Sequence, residues 1–167
     1  STIREKIWIR FMYGHPESLN DEVLQTVASN SNLCSYFDIP IQHASLEILR
    51  RMGRPDDPQH IQKLVKRIRA MMPAAALRTT VIVGFPGETE SHFKQLQEFV
   101  DAVAFDHLGV FTYSDAEDLA SHRLEDHVPP EIARERRDIL MAQQRRISEA
   151  RMERYLGQTV DVLLEEC

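Results

Sequence analysis

Cysteine is scarce in this chain, with Cys34 and Cys167 the only two. They make neither a disulfide framework nor a CxxC pair, which fits a reducing, cytoplasmic compartment. The seven histidines show no close ligand spacing such as HxxxH, so no intrinsic metal site is expected. No apolar run approaches the roughly 18 residues of a membrane span, and nothing resembles a signal peptide. A membrane partner is therefore not expected. GxSxG, GxxxxGKS and GxGxxG are all missing, which excludes a hydrolase elbow, a P-loop and a dinucleotide fingerprint. Positive charge is not in excess either. The formal net charge is −6 and the pI is near 5.6, which disfavours generic binding to a polyanion.

What is present is an ordinary soluble composition, 43% hydrophobic and 28% charged. The 167 residues suffice for one domain with a real core, since a chain of this size buries roughly 70% of its unfolded surface. The stretch around which the rest is organised is residues 77–90, LRTTVIVGFPGETE. Thr79, Thr80, Val81, Ile82 and Val83 form a β-branched run that predicts a fully buried strand. Gly84-Phe85-Pro86-Gly87 stops it and lets the backbone turn sharply. Thr89 is placed to cap a helix on which Phe93, Leu96, Phe99, Val100 and Val103 share a face. The loop thus sits at the carboxyl end of a strand, where α/β folds bind ligands.

The same reading extends along the chain. Residues 7–13 (IWIRFMY) predict a strand, and a helix over 20–29 follows, capped by Ser18 or Asn20. Residues 36–41 predict a second strand, with Pro40 marking a bulge or its end. Ser45 caps a short helix ending at Gly53, and Asp57-Pro58 starts another that Pro73 closes. Residues 107–113 (HLGVFTY) predict a further strand. After a polar loop over 114–128, a long helix is expected over 131–156, with Ile132, Arg136, Ile139, Leu140, Gln143, Ile147 and Tyr155 inward. Residues 159–164 read as a last strand. Strands separated by helix-length connections predict a parallel sheet, either doubly wound or part of a barrel.

On a parallel sheet the strand ends share one rim. Here that rim carries Tyr13-Gly14-His15-Pro16, Pro40-Ile41-Gln42-His43, Gly84-Phe85-Pro86-Gly87 and Tyr113-Ser114. These are the makings of a site that holds an organic cofactor by hydrogen bonds. Arg10, Arg78 and Asp38 lie in or beside strands and need partners if buried. Arg134, Arg136, Arg137, Arg145, Arg146, Arg151 and Arg154 stud the long helix, read as a solvated face of i,i+4 pairs or, less simply, as a basic stripe for RNA.

In this order, WIRFMYGHP, YFDIPIQHAS, ILRRMGR, LRTTVIVGFPGETE, HLGVFTYS and HVPPEIARERR resemble the methylthiotransferases of the radical S-adenosylmethionine superfamily. The likeness runs from Ile7 to about Glu166. Within the family it is nearest the RimO type, which modifies an aspartate of small-subunit ribosomal protein S-twelve, because residues 38–45 read DIPIQHAS. The transfer-RNA-modifying MiaB type usually has a QSGS-like sequence at Gln42-His43-Ala44-Ser45. Asp118-Leu119 departs from the family's usual Gly-Thr.

The resemblance implies an incomplete (β/α) barrel, with residues 1–157 its C-terminal part and residues 158–167 the start of a TRAM domain. It implies S-adenosylmethionine as cofactor, and 4Fe–4S clusters whose CxxxCxxC ligands lie outside this chain, so that the chain alone is expected to be inactive. Reductive cleavage of the cofactor then gives a radical that takes hydrogen from an unactivated carbon, which a methylthio group replaces. By motif position, Thr80, Val81, Ile82 and Val83 resemble the adenine-contacting strand. Gln42 and His43 fall near the ribose or methionine end, and Tyr113 and Ser114 near the adenine rim. Arg78 and Arg54 are implied as carboxylate or substrate contacts, and His15 as a substrate contact. The implied partner is ribosomal protein S-twelve, with no direct nucleic-acid binding. A transfer-RNA enzyme and a non-catalytic, partner-binding barrel remnant remain as alternatives. The strand over 7–13 is expected to leave an open edge or to pair with a second copy.

Overall fold

Each predicted strand is followed by a helix-length connection, and strands joined in that way pair in parallel. The computed structural model describes residues 7–54 and 57–162. Strands β1 (Tyr36–Asp38), β2 (Ala76–Val83) and β3 (His107–Thr112) lie side by side, all parallel. Asp38 stands opposite Arg78, which stands opposite His107. Helices α1 (Asp21–Ser29), α2 (Leu46–Arg51), α3 (Pro58–Met71), α4 (Glu90–Val103) and α5 (Pro130–Met152) occupy the connections and the C-terminal flank.

The helix starts follow the capping chemistry. Asn20 accepts from Val23 N at α1, and Asp57 accepts from Gln59 N ahead of Pro58 at α3. Thr89 and His92 form a reciprocal capping box at α4. Ile61, Leu64, Val65 and Ile68 of α3 and Phe93, Leu96, Phe99 and Val100 of α4 are buried in one core with Phe37, Leu77, Val81 and Val83.

Burial along β2 alternates, where the sequence predicts a strand buried throughout. Leu77, Thr79, Val81 and Val83 lie under the helices. Ala76, Arg78, Thr80 and Ile82 occupy the other, half-buried face, from which Thr80 and Ile82 reach the site.

Pro40 ends the β1 ladder, and Thr79 repairs the gap. Ile39 N donates to Arg78 O (2.9 Å), but Pro40 has no N–H to continue. The buried Thr79 hydroxyl donates to Ile39 O (2.7 Å) and accepts from Ile41 N (3.4 Å). Pairing then resumes, with Gln42 N donating to Thr80 O (3.0 Å) and Ile82 N to Gln42 O (2.8 Å).

Four expectations are corrected. Residues 7–13 form no strand; a single parallel bridge joins Ile9 to Leu33, and a positive φ at Tyr13 (59°) takes the chain out of strand geometry before Gly14 N reaches Asp38 O. The expected last strand is absent over 159–162, and the rest of that run, with Cys167, lies outside the described residues. On α5, Ile139 is 40% exposed, and Gln144 takes the inward place by donating to Phe105 O (2.8 Å). The arginines of this flank are not one solvated face. Arg136 is buried, while Arg151 and Arg154 meet the buried Asp106 carboxylate at 3.1 and 2.9 Å. The other Asp106 oxygen accepts from Leu77 N (2.9 Å), so this cluster ties α5 to the amino end of β2.

Thr79→Val keeps the shape but strips two buried backbone groups of their partner. It is expected to lower stability by about 1–3 kcal/mol in urea unfolding, with the slope unchanged, while Thr79→Ser keeps most of the loss from appearing.

Candidate functional site

The carboxyl end of β2 is shaped by its loop. Gly84 (φ 77°) and Gly87 (φ 84°) adopt left-handed conformations, and a Cβ on either would run into Ala133 or the Arg51 guanidinium. These close approaches let α5 and α2 grip the loop. Arg51 donates to Pro86 O (3.2 Å), and Gly87 N donates to Asp126 O (2.8 Å).

Beneath the loop lies Glu88, only 4% exposed. One carboxylate oxygen accepts from Gly84 N (2.8 Å), and the other accepts from Arg136 Nη1 (2.8 Å). The same Arg136 nitrogen donates to Glu88 O (3.0 Å). His43 Nε2 stands 3.6 Å from Glu88 Oε2, while its Nδ1 accepts from Ser45 N (2.9 Å). One buried carboxylate therefore joins the ends of β1 and β2 to α5.

Above this base the rim opens into two adjoining clefts. The larger, of about 660 Å³, has an apolar wall that includes Met52, Ile82, Phe85, Phe111 and Leu119. Its polar lining includes Gln42, Arg51, Arg54, Tyr113 and Ser114. Phe85 and Tyr113 meet edge to face with centroids 5.1 Å apart. The smaller cleft, of about 260 Å³, is lined by Tyr13, His15, Pro40, Gln42, Arg54 and Thr80. Gln42 and Arg54 belong to both. Gln42 has φ 64°, a region that costs a residue other than glycine about 1–2 kcal/mol, and the ladder bonds on either side hold it there.

The loop over 114–128 closes the outer side. Tyr113 OH donates to Asp115 Oδ1 (3.2 Å) and meets Ser121 Oγ at 2.9 Å. His122 Nδ1 lies 2.9 Å from the same Asp115 oxygen, and His127 Nδ1 lies 3.9 Å from the other. The hydrogen bond from His122, then that from Tyr113, holds the Asp115 carboxyl below the usual carboxylate range. No group of His, Cys, Asp and Glu among the described residues is arranged to hold a metal ion.

The structure brings together Gln42, Arg54, Ile82, Tyr113 and Ser114 at the larger cleft, and His15, Gln42, Arg54 and Thr80 at the smaller. Val81 and Val83 are buried with their side chains under the helices. Val83 O is taken by Tyr113 N (2.8 Å). His43 is 1% exposed and supports the rim from below. Arg78 lines neither cleft and pairs with the buried Asp38 (2.8 Å), as a charge inside a sheet must. Arg10 finds its partner in the Tyr36 ring, 4.9 Å from the centroid. Sequence reasoning placed Phe85 on the rim but missed Glu88 and the aromatic wall residue Phe111. The signal for Glu88 was available: Arg136 falls on the inward face of its helix, beside Leu140, and a buried guanidinium requires an acid.

Comparison with known proteins adds the following. Residues 2–100 match the Radical SAM superfamily. The chain is 50% identical over 159 residues to the ribosomal protein uS12 methylthiotransferase RimO of Clostridioides difficile, covering 95% of this chain and 36% of that protein. It is 40% identical over 165 residues to the protein of the same name from Thermotoga maritima, covering 99% of this chain and 38% of that protein. The chain thus spans just over a third of the length of these relatives. In fold it resembles coproporphyrinogen III oxidase (HemN) from Escherichia coli, described as a radical SAM enzyme, with a TM-score of 0.70 at 19% identity. That alignment covers 84% of this chain and 32% of the other.

Arg136→Met removes the partner of a buried carboxylate and is expected to cost about 3–5 kcal/mol in urea unfolding, with Glu88→Gln milder. The Asp115 contacts should hold the 114–128 loop above the ordinary carboxylate value near 3.9 and release it as pH falls through the lower folded value. Amide exchange in that loop, followed across the acid range, should show this release, and Asp115→Asn should remove it.

Proposed function

The chain belongs to the radical SAM superfamily, and from that premise we propose that it is the C-terminal part of the catalytic barrel of a RimO-type methylthiotransferase. The reaction proposed for the whole protein is addition of a methylthio group to the β-carbon of an aspartate in ribosomal protein uS12. Relatives from Clostridioides, Desulfosudis and Thermotoga that match over at least 95% of the chain bear that name, which does not favour the transfer-RNA alternative. A ribosomal substrate places the enzyme in the cytoplasm. No helix among the described residues is long and apolar enough to cross a membrane.

The observation that carries the reading is the larger cleft at the carboxyl ends of parallel strands. Its volume of about 660 Å³ suits a nucleoside-sized ligand. The aromatic and aliphatic wall fits a purine, and the polar wall fits a sugar and an amino acid. The side chain of Arg54 has no hydrogen bond or ion pair among the described residues, so its guanidinium is free for a carboxylate. These features fit S-adenosylmethionine, which supplies the hydrogen-abstracting radical when bound and reduced.

The roles of the chain's own residues follow from their places. Gln42, fixed in its left-handed conformation, directs its amide to the ribose or the methionine end. Arg54 takes the carboxylate, charge to charge and in a planar fork. Tyr113 and Ser114 border the base, while Ile82, Phe85 and Phe111 exclude water. His43 acts from beneath by fixing the turn that presents Gln42. His15 faces the smaller cleft, towards the substrate, and Arg78 keeps the sheet interior neutral by its pair with Asp38.

The cysteines do not fit a 4Fe–4S cluster. Cys34 and Cys167 are too few for a CxxxCxxC set. We place those ligands outside this chain, assign residues 158–167 to the start of a TRAM domain, and expect the chain alone to be inactive.

The test uses the protein encoded by the full reading frame, reconstituted without oxygen and supplied with a reductant. Production of 5′-deoxyadenosine and of methylthiolated uS12 peptide supports the reading, and their absence ends it. Gln42→Ala and Arg54→Ala are each expected to raise KM for S-adenosylmethionine about tenfold, the equivalent of about 1.4 kcal/mol.

A further inference from the structure

Left-handed backbone at residues other than glycine is uncommon, and where it persists something must over-determine it. Four such residues occur among the described ones: Tyr13, Gln42, Ala104 and Asp126. Ala104 ends α4 as its left-handed cap, and Asp126 presents its carbonyl to Gly87 N. Each of these has a structural task. Gln42 continues the strand pairing. Tyr13 is different.

Tyr13 has φ 59°, yet its side chain stabilises nothing visible. It is 75% exposed and makes no hydrogen bond or ring contact among the described residues. Its backbone, by contrast, is firmly held. Tyr13 N donates to Asp38 Oδ2 (3.2 Å), and the next amide, Gly14 N, donates to Asp38 O (2.8 Å). Asp38 is fully buried, and its other oxygen accepts from Arg78 (2.8 Å). An ion pair inside the sheet thus holds an aromatic residue in an unfavourable conformation at the lip of the smaller cleft, beside His15, Gln42 and Arg54. Tyr13 does not line the larger cleft.

We propose that Tyr13 is a substrate contact, held over the smaller cleft by the positioning pair Asp38–Arg78, and that it packs against the protein segment presenting the acceptor aspartate. Resting on the function proposed above, this assigns the larger cleft to the cofactor and the lip of the smaller one to the peptide. A tyrosine suits that task, since it offers a large amphipathic contact with few rotatable bonds to freeze. The strain at Tyr13 is then a cost accepted for binding, so that relieving it separates stability from recognition.

The experiment compares Tyr13→Ala and Tyr13→Gly with the wild type, in the protein from the full reading frame. It measures the affinity of a fluorescent uS12 peptide containing the acceptor aspartate, the affinity of S-adenosylmethionine by calorimetry, and the urea midpoint. Both variants are expected to weaken peptide binding about tenfold more than they weaken cofactor binding. Tyr13→Gly, free to adopt φ 59°, should unfold at a urea concentration no lower than the wild type. Asp38→Asn should weaken peptide binding in the wild-type background and add little to Tyr13→Gly. Parallel losses of peptide and cofactor would place Tyr13 in the cofactor site and overturn the proposal, as would unchanged peptide affinity or a destabilised glycine variant. A wild type that binds the cofactor but not the peptide would remove the uS12 reading, and the substrate role of Tyr13 with it.

Discussion

The buried contact between Glu88 and Arg136 is the constraint on which the rim depends. A carboxylate and a guanidinium taken out of water cost several kcal/mol each unless their remaining hydrogen-bonding groups are met. Glu88 meets that demand by capping the turn it belongs to, through Gly84 N, and by accepting from a residue 48 positions away. Without Arg136 the Glu88 carboxylate would accept a hydrogen bond only from its own turn, through Gly84 N. With it, the end of β2 is fastened to α5, and His43, close against the same carboxylate, brings the end of β1 into register. Three chain segments far apart in sequence become one floor beneath the clefts.

The sheet interior obeys the same rule at smaller scale. Thr79 replaces the hydrogen bond that Pro40 cannot make, and Asp38 and Arg78 neutralise each other across β1 and β2. These polar groups are therefore satisfied within the sheet, while Gln42 and Arg54 lie at the two clefts beyond the strand ends.

Much of this was legible in the residues. The order of the three paired strands and the helices between them, the caps at Asp57 and Thr89, the break at Pro40 and the gathering of Gln42, Tyr113 and Ser114 on one rim all follow from local pattern. The motif likeness points to the radical S-adenosylmethionine superfamily, and the match over residues 2–100 agrees. What was not legible depended on partners distant in sequence. Glu88 reads as one more acid after a turn until Arg136 is brought to it. Arg151 and Arg154 read as surface charge until Asp106 is found between them. Residues 7–13 have strand composition, but composition does not reveal that Asp38 draws Tyr13 aside.

Helix α5 is fastened near its start by Arg136 to Glu88 and near its end by Arg151 to Asp106. These anchors are about 22 Å apart along the helix, and neither lies in the loop over 114–128 that leads into it. The helix therefore keeps its place whatever the length of that loop. Changes in the length or composition of that loop would leave the barrel wall behind it in register. A lineage could in this way alter what the mouth of the cleft admits without renegotiating the fold.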